Sequence, residues 1–311
     1  ARSMLAMQVT HAWTGGSPTG RPRRYTNVRM DAVDPDVLRV DDGLHFNRRF
    51  AAPNVWEIDI DERLIDEAAH IFHHGSPFAS ATADGEPYEH IETSAGPFFL
   101  QRINWKSDAC WISVDDRNSY DVFHSLFTRM RLAERLAPLF PRGVRLYSAF
   151  FVVRSHCDAH NFHVDYQPEA GIDAMTLITP LHDYAETDSF QLSYVAHQGG
   201  RLREGGRLDE GDRGSEIQRY VYKKGTAVVF GSKFMHSTEP GAGRDGDPHA
   251  YLCFTFGTTD MAAWPQISRT LGTQSRVVVT PDGSFGFSRL GEKIEEMVRN
   301  YRAGREVCPA P

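Results

Sequence analysis

The densest run of chemistry-bearing side chains in the chain is His156-Cys157-Asp158-Ala159-His160-Asn161-Phe162-His163-Val164-Asp165-Tyr166. In an extended strand residues i and i+2 point the same way, so the His163 imidazole and the Asp165 carboxylate share one face and Val164 takes the other. Such a pair is a two-toothed metal clamp. A third ligand has to come from elsewhere. His236 is best placed, because it follows the strand-like run Gly225-Thr226-Ala227-Val228-Val229-Phe230 and a short turn. Two neutral imidazoles and one carboxylate on one face leave three octahedral positions open, the facial arrangement that suits Fe(II) and O2 chemistry. His156 and His160 lie near enough to compete, but His160 and His163 are three apart and fall on opposite faces of a strand. They read as approach or substrate-contact residues, with His156 and His182 also candidates for water-exposed loop histidines and Asp158 and Asp183 for turn residues.

These side chains need a scaffold, and the pattern from Val144 onward supplies a β one. Candidate strands are Val144 to Arg154, Phe162 to Tyr166, Met175 to Pro180, Ser189 to Val195, Gln218 to Phe230 with a break at Gly225, and His249 to Thr258. Many short strands with long Gly-rich connections predict a jelly roll or another closed sandwich rather than alternating βαβ units. Upstream, Val55 to Ile60 alternates as a strand, and Asp61 caps a predicted helix through His73 with Leu64, Ile65, Ala68, Ile71 and Phe72 inward. A second helix is predicted over Ser119 to Leu139 and a last one over Ser288 to Arg302, both amphipathic. The expected class is mainly β with flanking helices. Its parts are an arm (residues 1–50), a support region (51–143), the core (144–260) and an extension with a helix (261–311), together one elaborated domain.

At His163, Asp165 and His236 the chain resembles the Fe(II)/2-oxoglutarate-dependent dioxygenase superfamily, including its phytanoyl-CoA-hydroxylase-like members. Its signature is HxD on a double-stranded β-helix, a cupin-like jelly roll, followed by a distal His behind a Gly-to-Phe strand and then a last barrel strand. Gly225 to Phe230 and His249 to Phe256 fit those two strands. The resemblance covers Val144 to Thr258. It implies an enzyme that binds Fe(II) through the three residues and takes 2-oxoglutarate and O2, with ascorbate as an optional reductant. Such an enzyme oxidises a C–H bond of a small molecule as succinate and CO2 form. With Asp165 in place of the small residue of halogenating relatives, hydroxylation, desaturation or ring closure is implied.

The family anchors the far carboxylate of 2-oxoglutarate on a cation, often an Arg near the start of the last barrel strand. Here that strand starts with His249, with Tyr251 in the place of the usual hydroxyl partner, and the nearest Arg is Arg244 in a Gly-rich loop. Arg244 has the charge and His249 the position; Arg154, on another strand, is the next candidate.

Composition bounds the rest. The 311 residues are 41% hydrophobic and 24% charged, enough for a sizeable core, and no run approaches the roughly 18 apolar residues of a membrane span. The net charge is −7 although residues 1–30 carry Arg2, Arg21, Arg23, Arg24 and Arg29 and no acid, so the remainder is more acidic still. That argues against nucleic acid as a partner and for a small molecule, carboxylated or amino-acid-derived if Arg102, Lys106 and Arg154 receive it. The Arg-rich beginning resembles a transit-peptide remnant or a plain arm, and four scattered cysteines suggest no disulfide framework; both fit a reducing cytoplasmic or organellar location. His197 to Glu216, rich in Gly and charge, reads as a mobile insertion and a candidate substrate lid. Two rival readings are a cupin-like metalloenzyme that does not use 2-oxoglutarate and a binding protein that kept the sandwich without the chemistry.

Overall fold

Residues 36–39, 44–74, 87–103, 109–197, 215–243 and 248–303 are described by the computed structural model, all within the unit Asp31–Pro311. The arm over residues 1–30, Lys106, positions 198–214 of the insertion, Arg244 and Cys308 lie outside the described residues.

Strands β1 (Val37–Arg39), β2 (His45–Asn47) and β3 (Ala52–Pro53) make a small antiparallel sheet, and β4 (Val55–Asp59) leaves it for the main sheet. Helix α1 (Glu62–His74) starts behind Asp61, whose carboxylate accepts the Arg63 N–H at 3.0 Å, and buries Leu64, Ile65, Ala68 and Phe72 as the sequence period predicts. A meander follows that no pattern in the sequence announced: β5 (Tyr88–Thr93), β6 (Gly96–Arg102) and β7 (Ala109–Val114). Helix α2 (Arg117–Arg129) opens on a reciprocal cap. Asp116 Oδ1 accepts the Ser119 N–H at 2.8 Å and Ser119 Oγ accepts the Asp116 N–H at 3.2 Å, a device worth about 1 kcal/mol. The single helix expected over Ser119 to Leu139 is broken at Arg131, whose φ is +56°, into α2, α3 (Leu132–Arg135) and a 3-10 turn at Ala137–Leu139. Met130, Leu132 and Leu136 stay in the same core as Phe123 and Leu126, so the apolar stripe runs on through a bend that it does not encode.

The barrel comes next: β8 (Val144–Arg154), β9 (His156–Cys157), β10 (Ala174–Pro180), β11 (Leu192–His197), β12 (Ser215–Tyr220), β13 (Thr226–Phe230), β14 (His236–Thr238), β15 (Gly241–Ala242) and β16 (His249–Thr258). The main sheet has the order β4-β13-β10-β16-β8-β7-β6-β5 and the opposing sheet the order β12-β11-β14. Chain order alternates between them, β10 in one, β11 and β12 in the other, β13 in the first and β14 in the second. That alternation is the expected double-stranded β-helix.

Three expectations are corrected. Gln218 to Phe230 is two strands in opposite sheets, β12 and β13, parted by Gly225 at φ +83°, a conformation open to glycine without strain. Phe162 to Tyr166 is not a ladder strand: only His163 bridges, to His236. The strand expected over Ser189 to Val195 begins at Leu192 and runs on to His197.

Both faces of β8 are covered, which sets its side-chain parity. Ala149, Phe151 and Val153 join the core under the helices, whereas Phe150 and Val152 join the barrel interior. On the outer face Phe123 of α2 meets Phe98, Phe151 and Phe254 edge-on at 5.9, 5.4 and 6.4 Å. Each such pair adds about 0.5–1.5 kcal/mol beyond area burial. The chain closes with α4 (Trp264–Gln274), the hairpin β17 (Val277–Val279) and β18 (Phe285–Phe287), and α5 (Arg289–Arg302). Among these only α5 was expected. Arg276 ties this segment back, reaching Asp115 and Glu295 at 2.5 Å each. Among the described residues Cys110, Cys157 and Cys253 form no disulfide, and no helix is long and apolar enough to cross a membrane.

Candidate metal centre

His163 and His236 come from segments 73 residues apart, yet the fold makes them direct neighbours. Each donates its backbone N–H to the other's carbonyl, at 2.9 and 3.0 Å, and Ser237 Oγ accepts the Asn161 N–H at 2.8 Å. This local pairing, rather than a full ladder, sets the register of the HxD segment.

The imidazoles are oriented by their own backbone. His163 Nδ1 lies 2.7 Å from the Asn161 carbonyl and His236 Nδ1 3.0 Å from the Phe234 carbonyl. A carbonyl only accepts, so both rings carry the proton on Nδ1 and turn the Nε2 lone pair outward. Both Nε2 atoms face Asp165 Oδ1, at 3.5 and 3.7 Å, and the three ligand atoms lie within 4.8 Å of one another. Rings of Phe230 and Phe234 pack against His236 at 4.5 and 5.4 Å and hold it from behind.

Asp165 is held from two sides. Thr176 on β10 donates its hydroxyl to Asp165 Oδ2 at 3.0 Å, and the buried Tyr166 hydroxyl lies 3.2 Å from Thr176 Oγ1. Thr270 of α4 donates to the Asp165 carbonyl at 2.7 Å. With one carboxylate oxygen occupied by Thr176, the other remains to complete the triad. Two Nε2 lone pairs and one carboxylate oxygen converging on a point form a donor set that fits a divalent transition metal with open positions.

Two cavities meet at the triad. The inner one, about 100 Å³, lies in the barrel and is lined by Phe150, Val152, Ile178, Tyr222, Cys253 and Arg154 besides the triad. The outer one is an open cleft of about 730 Å³ bordered by Gln101, Trp111, Glu169 and the exposed side of α4. Trp111, His163, Asp165 and Gln274 border both.

Of the sequence-predicted anchor residues among the described ones, Arg154, His249 and Tyr251 lie side by side on β8 and β16, but only Arg154 lines the cavity that holds the triad. Arg154 shares the parity of Phe150 and Val152 on β8, and this brings its guanidinium into the inner cavity with the triad. There it lies 5.3 Å over the Tyr251 ring and has no carboxylate partner among the described residues. His249, opposite Arg154 across the β8–β16 register, is stacked on Tyr184 at 3.7 Å and edge-on to Phe190 at 5.0 Å. Burial, with Arg154 adding to it and Asp188 opposing, holds its pKa below the ordinary imidazole value, so it is neutral at pH 7 and poorly suited to bind an anion. The Tyr251 hydroxyl is committed, donating to the Phe190 carbonyl at 3.2 Å. Neither His249 nor Tyr251 lines the cavity that holds the triad.

Tyr222, which sequence reasoning missed, does line it. Burial raises its phenol pKa well above the ordinary value, with the Arg154 charge opposing, so it stays a neutral donor. His156 pairs with Asp158 at 2.7 Å, His160 stacks on Phe162 at 5.2 Å, and His182 faces His73 at 2.9 Å, so none of the three points into the triad. Thr176, Gln101, Trp111 and Gln274 were likewise missed. For Thr176 a signal existed, since it is a polar residue two positions before the inward Ile178.

Taken together, strand order and donor set define a double-stranded β-helix protein that carries a His-Asp-His triad at the mouth of its barrel. No protein-family model matches the sequence, and no curated protein matches it. Among solved structures the chain is similar to SnoN, the non-heme alpha ketoglutarate dependent epimerase from nogalamycin biosynthesis, at 15% identity over 68% of this chain and 82% of that chain, with a TM-score of 0.41. It is also similar to a Pseudomonas putida prolyl-4-hydroxylase, at 14% identity over 66% of this chain and 92% of that one, TM-score 0.41. HygX from Streptomyces hygroscopicus, solved with nickel and 2-oxoglutarate bound, follows at 13% identity over 68% and 85%, TM-score 0.38. These are likenesses of chain path; the fold itself is read from the strand order.

Proposed function

We propose that this protein is an Fe(II)- and 2-oxoglutarate-dependent oxygenase of small molecules. The observation that carries the reading is the inner cavity, where a metal-ligand triad and a guanidinium without a carboxylate partner face the same space. A half-buried cation with no carboxylate partner is stabilised by an anion that joins it. A dicarboxylate that reaches from the triad to Arg154 supplies that anion at the far end, with Tyr222 as the hydroxyl donor beside it. Arg154 is therefore the proposed anchor. Its fork is matched to a carboxylate.

His163, Asp165 and His236 would hold the metal, and bound Fe(II) with 2-oxoglutarate supplies the O2-activating chemistry that ends in succinate, CO2 and one oxidised C–H bond. The chain's own residues position and shield. The Asn161 and Phe234 carbonyls fix the ring tautomers, Thr176 fixes the carboxylate, and Phe150, Val152, Ile178 and Cys253 give the inner cavity its apolar walls. The outer cleft leaves a path for substrate to the opposite side of the triad.

The test is anaerobic titration of the metal-free protein with Fe(II), with and without 2-oxoglutarate, followed by the visible absorption of the iron–oxoacid chelate. Tight Fe(II) binding and a new band on 2-oxoglutarate addition are expected. Iron binding with no response to 2-oxoglutarate would instead support a metalloenzyme of the cupin type, and failure to bind iron would remove the reading.

A further inference from the structure

The outer cleft contains hydrogen-bonding groups that the metal and the oxoacid leave unused. Gln274, the last residue of α4, is only 8% exposed and borders both cavities, and its Oε1 is buried with no hydrogen-bond partner among the described residues. Gln101 on β6 lines the same cleft, and its Oε1 is equally unpartnered. Trp111, the cross-strand partner of Gln101, is half-buried and borders both cavities. Both amides thus have hydrogen-bonding capacity that the described residues leave unused, and both border one cleft beside the metal-ligand triad, where a ligand can take it up.

Charge narrows the class. Apart from the triad, the ionisable lining among the described residues is Glu169 and Arg269, both exposed and of opposite sign. Arg102, a candidate for receiving a carboxylate, is instead paired with Glu89 at 3.1 Å. Among the described residues the cleft thus has no surplus cation for an acidic substrate. A carboxamide presents a C=O and an N–H side by side, which matches two adjacent hydroxyls, one donating and one accepting. An indole beside it matches the C–H face of a saturated ring.

We propose that the cleft binds a neutral polyhydroxylated ring, a sugar or cyclitol unit. Gln101 and Gln274 engage its hydroxyl pairs, Trp111 packs on its face, and a ring C–H is turned to the triad. The chemistry at that C–H rests on the functional reading above, but the binding does not.

Saturation-transfer NMR tests the binding on the full chain loaded with diamagnetic Zn(II) and 2-oxoglutarate. The polyol probes are methyl glycosides of glucose, galactose and mannose together with myo-inositol, and the charged probes are L-proline and L-glutamate. Saturation of at least one polyol is expected, weakened tenfold or more by Gln101→Leu and by Gln274→Leu. Neither variant should lower the thermal midpoint, because each removes an unpaired buried amide. Trp111→Phe, which keeps an aromatic face, should retain part of the binding. Silence of every polyol, saturation confined to the amino acids, or undiminished binding in both Gln variants would overturn the proposal. Polyol binding in a protein that does not take up 2-oxoglutarate would uphold it and overturn the oxygenase reading instead.

Discussion

Replacing Arg154 by Ala removes the cation that the inner cavity offers to a dicarboxylate. Arg154 is half-buried, so the pair it would make is neither fully desolvated nor a surface ion pair. Truncating one member of a buried charge-assisted pair costs about 2–5 kcal/mol, and partial exposure argues for the lower part of that range, about 2–3 kcal/mol. At about 1.4 kcal/mol per factor of ten, the 2-oxoglutarate Kd should rise about 30- to 150-fold. Loss of the Tyr251 contact at 5.3 Å adds a small stability term, about 0.5–1 kcal/mol, readable separately by thermal unfolding. The assay is calorimetric titration of 2-oxoglutarate into the Fe(II) protein under anaerobic conditions, for Arg154→Ala, Arg154→Lys, His249→Ala and Arg244→Ala. Arg154→Lys should recover part of the affinity, because it restores the charge without the bidentate fork. An Arg154→Ala protein within threefold of the parent, with His249→Ala or Arg244→Ala impaired instead, would refute the reasoning.

Other outcomes follow from the same geometry. Ala in place of His163 or His236 should abolish turnover and metal retention, read by metal analysis after desalting, with circular dichroism unchanged. Thr176→Val frees Asp165 Oδ2 and strips the buried Tyr166 hydroxyl of its partner, so metal affinity should fall about 10- to 100-fold and stability by about 1–3 kcal/mol. Tyr222→Phe should weaken 2-oxoglutarate about tenfold, less than Arg154→Ala, with the metal Kd unchanged. His249, whose pKa burial lowers, binds its proton more readily unfolded than folded. Its contribution to stability is therefore full above the unfolded value of about 6.5 and is lost as pH falls through the folded value. Denaturant titrations between pH 7.5 and 5 should show a shallower acid loss for His249→Phe than for the parent, and parallel slopes would contradict this.

Much of the site was legible because its signals are local. Types and spacing alone brought His163 and Asp165 to one place, and the Gly225 break with the apolar run to Phe230 pointed to His236. The strands Val144 to Arg154 and His249 to Thr258 were readable end to end, since both are buried on two faces and show as continuous apolar runs. What stayed hidden is relational. The meander β5 to β7 lacks a distinctive pattern, and α4 has a short, mixed stripe. The helix break at Arg131 leaves no mark because Met130 and Leu132 remain apolar on either side. Which cation faces the triad depended on what packs at each strand end: Arg154 continues the inward series of Phe150 and Val152, whereas its cross-strand partner His249 is enclosed by Tyr184 and Phe190. Gln101, Trp111 and Gln274 come from two strands and a helix end, and only tertiary packing sets them around one cleft. Sequence by itself therefore determined the donor types and the β-rich scaffold, because those follow from chemistry and local periodicity. The tertiary structure decided which cation and which amides border the cavities at the triad, because those depend on which side chains distant segments bring beside the same space.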